Sequence, residues 1–140
     1  MMYLITGAII KEQSILLVKK RGVWIVPGGK IQERETDEEC LVREYREELS
    51  GTQIEIKGFY GKFLGKNIRR TDNVFNKVYF ADIIGNLGLP SAEIEASGWF
   101  RDFQGVNLSE IASRITCSLR RDKYLSITKS IENPAERNNY

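Results

Sequence analysis

The segment TDEECLVREYREELSG at residues 36–51 constrains the fold more strongly than any other part of the sequence. Leu41, Tyr45 and Leu49 recur every fourth residue, and this spacing predicts a helix that buries one apolar stripe. Thr36 is a favourable N-cap residue, so the helix is expected to begin directly after it. The chain must therefore provide a packing surface for at least one amphipathic helix.

Three carboxylates lie on one flank of this predicted helix. Glu44, Glu47 and Glu48 share a side because residues three and four apart are neighbours on a helix surface. They lie towards the C-terminal end, where the helix dipole disfavours negative charge. Three interpretations follow. One carboxylate is protonated, a hard cation such as Mg²⁺ or Mn²⁺ lies among them, or the group is an ordinary solvated surface with pairs such as Arg43 and Glu47.

The amino-acid composition limits the available chemistry. The sequence contains no histidine, which excludes Ser-His-Asp triads, Cys-His dyads, histidine-ligated zinc and imidazole general bases. The chemistry must then use carboxylates, amines, hydroxyls or a metal ion held by oxygen atoms. The net charge of +2 gives no reason to expect a nucleic-acid partner or attraction to a membrane surface.

The length of 140 residues is typical of one domain, and we expect residues 1–140 to form one. Cys40 and Cys117 are far apart and form no CxxC pair, which favours a reduced, cytoplasmic setting. The start, MMYLITGAIIKEQ, has neither a basic n-region nor a small-residue cleavage site and is typical of a strand. No apolar run approaches the roughly 20 residues that span a bilayer.

Short apolar and β-branched runs predict strands at 3–10, 14–20, 23–27, 52–66, 74–85 and 98–100. Gly58 and Gly61 are candidate β-bulge sites within the longest run. Asn107 is a candidate N-cap of a second helix. The apolar stripe of that helix comprises Leu108, Ile111, Ile115 and Leu119. Residues 132–140 are expected to fray, and the order of the elements predicts a mixed α/β fold.

The region from Pro27 to Gly51 resembles the signature of the Nudix hydrolases, in which a glycine is followed six residues later by a glutamate and then by Arg-Glu-hydrophobic-x-Glu-Glu. The matching positions are Gly29, Glu35, Arg43, Glu44, Tyr45, Glu47 and Glu48. Ser50 and Arg34 stand where the signature has glycine, and Gly51 stands where it has a hydrophobic residue. The resemblance implies an α/β/α sandwich with a mixed β-sheet and a loop–helix–loop motif at about residues 29–51.

The resemblance also implies a metal centre. Glu44 and Glu48 would be the main ligands of Mg²⁺ or Mn²⁺, and Glu47 would be a third ligand or a base that acts through water. The backbone carbonyl of Gly28 would add a ligand. An acidic residue from a downstream loop often joins such a site. Glu93 and Glu95 are the candidates, with Glu93 preferred, and an ordinary solvated loop is the alternative for both.

Other matching residues would support the metal centre or contact the substrate. Glu35 and Arg43 are expected to orient the carboxylates through bidentate hydrogen bonding. Arg69 and Arg70 belong to a basic, aromatic-rich stretch and, with Gly29, are candidate substrate contacts. A solvated hairpin tip is the alternative interpretation of the two arginines.

The function implied is that of a Mg²⁺-dependent hydrolase that cleaves the diphosphate linkage of a nucleoside diphosphate derivative by attack of a metal-activated water on phosphorus. A nucleoside triphosphate or a nucleotide sugar fits this class. The proline that is typical of ADP-ribose hydrolases soon after the signature is absent, since no proline occurs between Pro27 and Pro90. The resemblance is also compatible with a homodimer. The alternative is a catalytically silent module that binds a nucleotide or regulates another protein.

Overall fold

The computed structural model of the protein describes residues 2–126, which form two β-sheets and two helices. The elements are β1 (Met2–Ala8), β2 (Ile10–Lys11), β3 (Ser14–Lys20), β4 (Val23–Ile25), β5 (Gly28–Lys30), α1 (Asp37–Glu48), β6 (Gln53–Lys66), β7 (Asn73–Ile84), β8 (Ala96–Phe100) and α2 (Glu110–Arg121). The first sheet has the order β5-β1-β7-β6, and in the second β3 pairs with β2, β4 and β8. Because β1 runs parallel to β7 and antiparallel to β5, the first sheet is mixed, as predicted.

The acidic segment forms α1. The Thr36 side chain accepts a hydrogen bond from the backbone N–H of Glu39, and the Glu39 carboxylate accepts one from the backbone N–H of Thr36 at 2.9 Å. At the other end, Gly51 has a φ of 74°, a conformation that glycine adopts readily. Its N–H donates to the carbonyl oxygen of Arg46 at 2.9 Å and closes the helix. The predicted start of the helix is confirmed.

The apolar stripe of α1 packs on one face of the first sheet. Leu41, Tyr45 and Leu49 have no exposed surface and pack in the same cluster as Ile5 of β1. The Tyr45 hydroxyl donates to the carbonyl oxygen of Gly7 at 2.8 Å. These contacts fix the rotation of the helix about its axis, and therefore also fix where its acidic flank lies.

The second helix, α2, packs on the other face of the first sheet, in a separate apolar cluster. The prediction of Asn107 as its N-cap is wrong, because the side chain of Ser109 caps the helix and accepts from the backbone N–H of Ala112 at 3.0 Å. Asn107 instead accepts a hydrogen bond from the backbone of Trp24 and belongs to the loop. The buried side of α2 includes Ile111, Ile115 and Leu119, as predicted. Leu108 precedes the helix.

The strands follow the predicted pattern with two differences: the predicted strand at 3–10 is divided between β1 and β2, and β5 is an addition. The β6–β7 ladder shifts register next to Gly58 and Gly61, which confirms both bulge sites. The strand β5 was not predicted, and it pairs with β1. The tail at 132–140 lies outside the described residues. Neither helix in residues 2–126 has the length and apolar character needed to cross a membrane.

Candidate active site

The three carboxylates of α1 occupy different environments. Glu48 is buried, with 6% of its surface exposed. The side chain of Glu44 is 15% exposed, whereas that of Glu47 is 55% exposed. The acidic flank therefore runs from the edge of the core at Glu48 to the solvent at Glu47.

Glu48 is electrostatically strained. Its Oε1 atom is buried and has no hydrogen-bond partner among the described residues. Burial, and next the nearby charge of Glu44, raise the pKa of Glu48 to about 8. The charge of Lys20 and the backbone N–H of Gly28 oppose this increase only in part. A buried carboxylate oxygen without a partner is costly, so this position favours a proton or a cation.

The two glycines of β5 allow the carboxylates and the first sheet to approach each other closely. A Cβ atom on Gly29 would lie 2.3 Å from the carboxyl carbon of Glu44. A Cβ atom on Gly28 would lie 2.1 Å from the carbonyl oxygen of Ile5. A side chain at Gly28 would clash with the backbone of β1, and a side chain at Gly29 would displace the Glu44 carboxylate, so bare backbone lies against the acidic cluster.

Arg43 joins the segment before the helix to the acidic flank. Its Nε and Nη2 atoms donate to the two carboxylate oxygens of Glu35 at 2.5 and 3.0 Å. Its Nη1 atom donates to Glu44 at 3.0 Å and to Glu47 at 3.5 Å, and Nη2 also donates to the carbonyl oxygen of Lys30 at 3.1 Å. The Arg43 hydrogen bond lowers the pKa of Glu35 to about 2. Arg43 therefore makes the contacts that an orienting residue needs.

A lysine that the sequence did not single out lies beside the cluster. The Nζ atom of Lys20, at the end of β3, forms an ion pair with Glu93 at 3.1 Å, and hydrogen bonding to Lys20 lowers the pKa of Glu93. The charge of Lys20 also acts to lower the pKa of both Glu44 and Glu48. Lys20 thus lies between the downstream loop and the helix, and Glu93 is engaged by a cation. In the sequence, the only indication of this role of Lys20 is that a lysine stands at the end of a predicted strand.

The fit of a metal ion can be judged from the donor atoms. Within residues 2–126, no three acidic or cysteine side chains converge closely enough to form a ready-made metal site. The unpartnered oxygen of Glu48, the neighbouring carboxylate of Glu44 and the bare backbone of β5 are all hard oxygen donors. Such donors suit Mg²⁺ or Mn²⁺. The residues fit such an ion by their chemistry.

A cavity of about 230 Å³ adjoins the acidic cluster. Gly28 and Gly29 line its near end, so one piece of backbone borders both the cavity and the carboxylates. Three lysines also line it, namely Lys20, Lys30 and Lys66. Its apolar walls include Leu4, Ile25, Val26, Val74, Ile111 and Ile115, and its polar lining includes Thr6, Asn76 and Ser109.

The two arginines predicted to contact the substrate do not line this cavity, and their role stays a prediction. Lys66, Asn67 and Ile68 of the β6–β7 connection line it, but Arg69 and Arg70 do not. These two arginines lie further along the same connection. Lys66 is therefore the cation that this hairpin brings to the cavity.

Residues 4–110 match the family model of the NUDIX domain. The chain belongs to the NUDIX family. The resemblance of the acidic helix and its preceding loop to the Nudix signature is thereby confirmed, and the carboxylate cluster, the Arg43 contacts and the β5 glycines all lie within the matched region.

Known proteins with this domain resemble the chain in sequence and in fold. An ADP-ribose pyrophosphatase of Methanocaldococcus jannaschii is 33% identical over 86 residues, covering 58% of this chain and 50% of the relative. An uncharacterized Nudix hydrolase of Bacillus subtilis, YvcI, is 40% identical over 62 residues, covering 40% of this chain and 39% of the relative. The chain thus spans half or less of the length of these curated relatives. The crystal structure of a MutT NUDIX hydrolase from Burkholderia pseudomallei superposes with a TM-score of 0.71 at 25% identity, covering 84% of this chain and 95% of that one.

Proposed function

We propose that this NUDIX protein is a divalent-metal-dependent hydrolase that cleaves the diphosphate linkage of a nucleoside diphosphate derivative. One observation carries the proposal. The carboxylate of buried Glu48, which has an oxygen without a partner among the described residues, contacts the backbone of Gly28, and Gly28 also lines a cavity that contains three lysines. A site for a cation thus adjoins a site for anionic phosphate groups. Substrates with two linked phosphates carry the negative charge that both features would complement.

Glu44, Glu48 and the backbone carbonyl of Gly28 would hold Mg²⁺ or Mn²⁺, with Glu47 as a third ligand or as the base. When bound, such an ion offsets charge on phosphate oxygens and lowers the pKa of water. Arg43 would hold Glu44 in position, because its guanidinium is anchored on both oxygens of Glu35. Glu93 would join the centre only after its ion pair with Lys20 opens.

The remaining residues of the site would bind the phosphates and move a proton. Lys20, Lys30 and Lys66 bring positive charge to the lining of the cavity that adjoins the carboxylates. Glu47 extends into solvent from the same flank, where its carboxylate can accept a proton from an attacking water. This chain needs no covalent intermediate on the protein, which agrees with the lack of histidine to activate a nucleophile.

The substrate class includes nucleoside triphosphates, nucleotide sugars and ADP-ribose. The M. jannaschii relative is named an ADP-ribose pyrophosphatase, which supports a nucleoside diphosphate derivative as the substrate. A silent binding module is the alternative. A module without catalysis would have no need to keep Glu48 buried without a partner beside Glu44, so the acidic cluster favours the enzyme.

The test is a hydrolysis panel of nucleoside triphosphates, nucleotide sugars and ADP-ribose with Mg²⁺, in which release of phosphate, pyrophosphate or nucleoside monophosphate is measured. Glu48→Gln should lower kcat by about 100-fold or more, the size expected for loss of one electrostatic group of an active site. Glu38→Gln is the matched control, since Glu38 is exposed on the first turn of the same helix. Binding of panel compounds without turnover would establish the silent module instead.

A further inference from the structure

Asn76 is a buried polar residue that the proposed mechanism does not use. It lies on β7, has 3% of its surface exposed and lines the cavity beside Thr6. The surrounding walls are largely apolar, with Leu4 and Val74 on the first sheet and Ile115 on α2. A side-chain amide in such a place is expected to have its hydrogen bonds satisfied.

Among the described residues, only the oxygen atom of this amide has a hydrogen-bond partner. The hydroxyl of Thr6 donates a short hydrogen bond to Oδ1 of Asn76, and this bond fixes the orientation of the amide group. No residue of the described chain, 2–126, accepts a hydrogen bond from Nδ2 of Asn76, and that atom is not sealed away from the cavity. The two N–H donors of Nδ2 are therefore left for a ligand.

The size and polarity of the cavity indicate what part of a ligand enters it. Its volume of about 230 Å³ is smaller than the roughly 300–1,000 Å³ of sites for drug-sized molecules, so it holds one ring system. Lys20, Lys30 and the carboxylate cluster lie at the end near Gly28 and Gly29, because Lys30 directly follows Gly29 on β5 and the charge of Lys20 acts on Glu44 and Glu48. The phosphates would remain at that end, while a ring extends between the apolar walls towards Asn76.

We propose that Asn76 determines base specificity by donating a hydrogen bond from Nδ2 to a keto oxygen of the nucleobase. This inference rests on the proposed function and narrows its substrate class to nucleotides with an oxo base, in preference to adenine. Hypoxanthine and adenine form the sharpest pair, because they differ at position 6, where an oxygen acceptor replaces an amino donor. An amino group at that position would face the N–H donors of Asn76, so that neither the amino group nor the amide would find a hydrogen-bond acceptor.

The experiment compares binding of inosine 5′-monophosphate and adenosine 5′-monophosphate by titration calorimetry. Neither compound contains a diphosphate linkage, so binding is measured without turnover. Wild-type protein should bind the inosine compound at least about tenfold more tightly. Asn76→Asp replaces the donors by an acceptor in the same shape and should remove this preference. Asn73→Asp makes the same change at an exposed position of the same strand and should retain it.

Equal affinity for the two compounds, tighter binding of the adenosine compound, or binding of neither would overturn the proposal. Should Asn76→Asp fail to fold, as judged by its melting temperature, the wild-type affinity ratio alone decides. The two proposals fail separately. If the panel shows hydrolysis but the inosine compound is not preferred, only the proposed role of Asn76 is refuted. If the inosine compound is preferred but no panel compound is hydrolysed, only the proposed hydrolase activity is refuted.

Discussion

The strongest quantitative prediction concerns the stability of the metal-free protein when the Glu48 charge is removed. Glu48 has an ordinary pKa of 4.5 in the unfolded chain and a pKa of about 8 in the folded one. Because the folded pKa is raised, the contribution of this group to stability is complete below about pH 4.5 and is lost as the pH rises to about 8. The whole difference corresponds to about 5 kcal/mol at 1.36 kcal/mol per pH unit.

Glu48→Gln should therefore raise the free energy of unfolding in the presence of EDTA by about 2–5 kcal/mol at pH 9, since the folded chain relaxes around the charge to some extent. At pH 4.5 the variant and the wild type should be nearly equal, because Glu48 is then protonated in the folded state. Urea denaturation at pH 4.5, 7 and 9 measures this difference directly.

Glu38→Gln serves again as the control, and its small effect should be the same at all three pH values. A Glu48→Gln variant that is less stable than the wild type at pH 9, or one whose advantage does not grow with pH, would refute the assignment of Glu48 as a buried, unpartnered charge. Loss of hydrolysis together with a gain of stability would show that the acidic cluster is retained for activity rather than for folding.

Three further predictions follow from the geometry around the site. Gly29→Ala should lower kcat/KM by about 100-fold with little change in melting temperature. The reason is that the alanine Cβ would lie 2.3 Å from the Glu44 carboxyl carbon and would displace that carboxylate. A melting temperature that falls in proportion to the activity would contradict this prediction. Arg43→Lys should weaken Mg²⁺ activation by about 10–100-fold, because lysine cannot replace the paired hydrogen bonds to Glu35. An unchanged dependence of the activity on Mg²⁺ would show that Arg43 does not orient the carboxylates. Arg34→Gly should raise the free energy of unfolding by about 0.5–1 kcal/mol in urea denaturation, because Arg34 has a φ of 67°, which is unfavourable for a residue with a side chain. A destabilised variant would mean that the Arg34 side chain makes a compensating contact.

The sequence alone predicted α1 and its position relative to the core. The stripe of Leu41, Tyr45 and Leu49 and the cap at Thr36 are local patterns, and the structure reproduces them. The acidic flank follows from the stripe, because the rotation of a helix is fixed once its buried side is known. The difference in exposure between Glu47 and Glu48 could not be predicted from the sequence, since it depends on which residues pack beside each side chain.

The features that were missed depend on contacts between distant parts of the chain. β5 contains two glycines, which have low strand propensity, and it forms because β1 supplies a partner. Lys20 comes next to Glu93 and the acidic helix only when β3 and the downstream loop are folded. Asn76 is an unremarkable residue within a strand pattern, and its meaning depends on Thr6, 70 positions away. The backbone conformation of Arg34 was also not predicted. Its left-handed backbone keeps the turn that a glycine provides at this position of the signature.

The helix α2, which forms part of the cavity wall, also offers a position for an optical probe. Cys40 and Cys117 are both free thiols, but Cys40 is buried and Cys117 is exposed. Burial raises the pKa of Cys40 to about 12, so almost no reactive thiolate forms there at neutral pH. A maleimide fluorophore would therefore attach selectively to Cys117. Because Ile111 and Ile115 of the same helix line the cavity, we expect the emission of this fluorophore to change when a ligand enters the cavity of the unmutated chain.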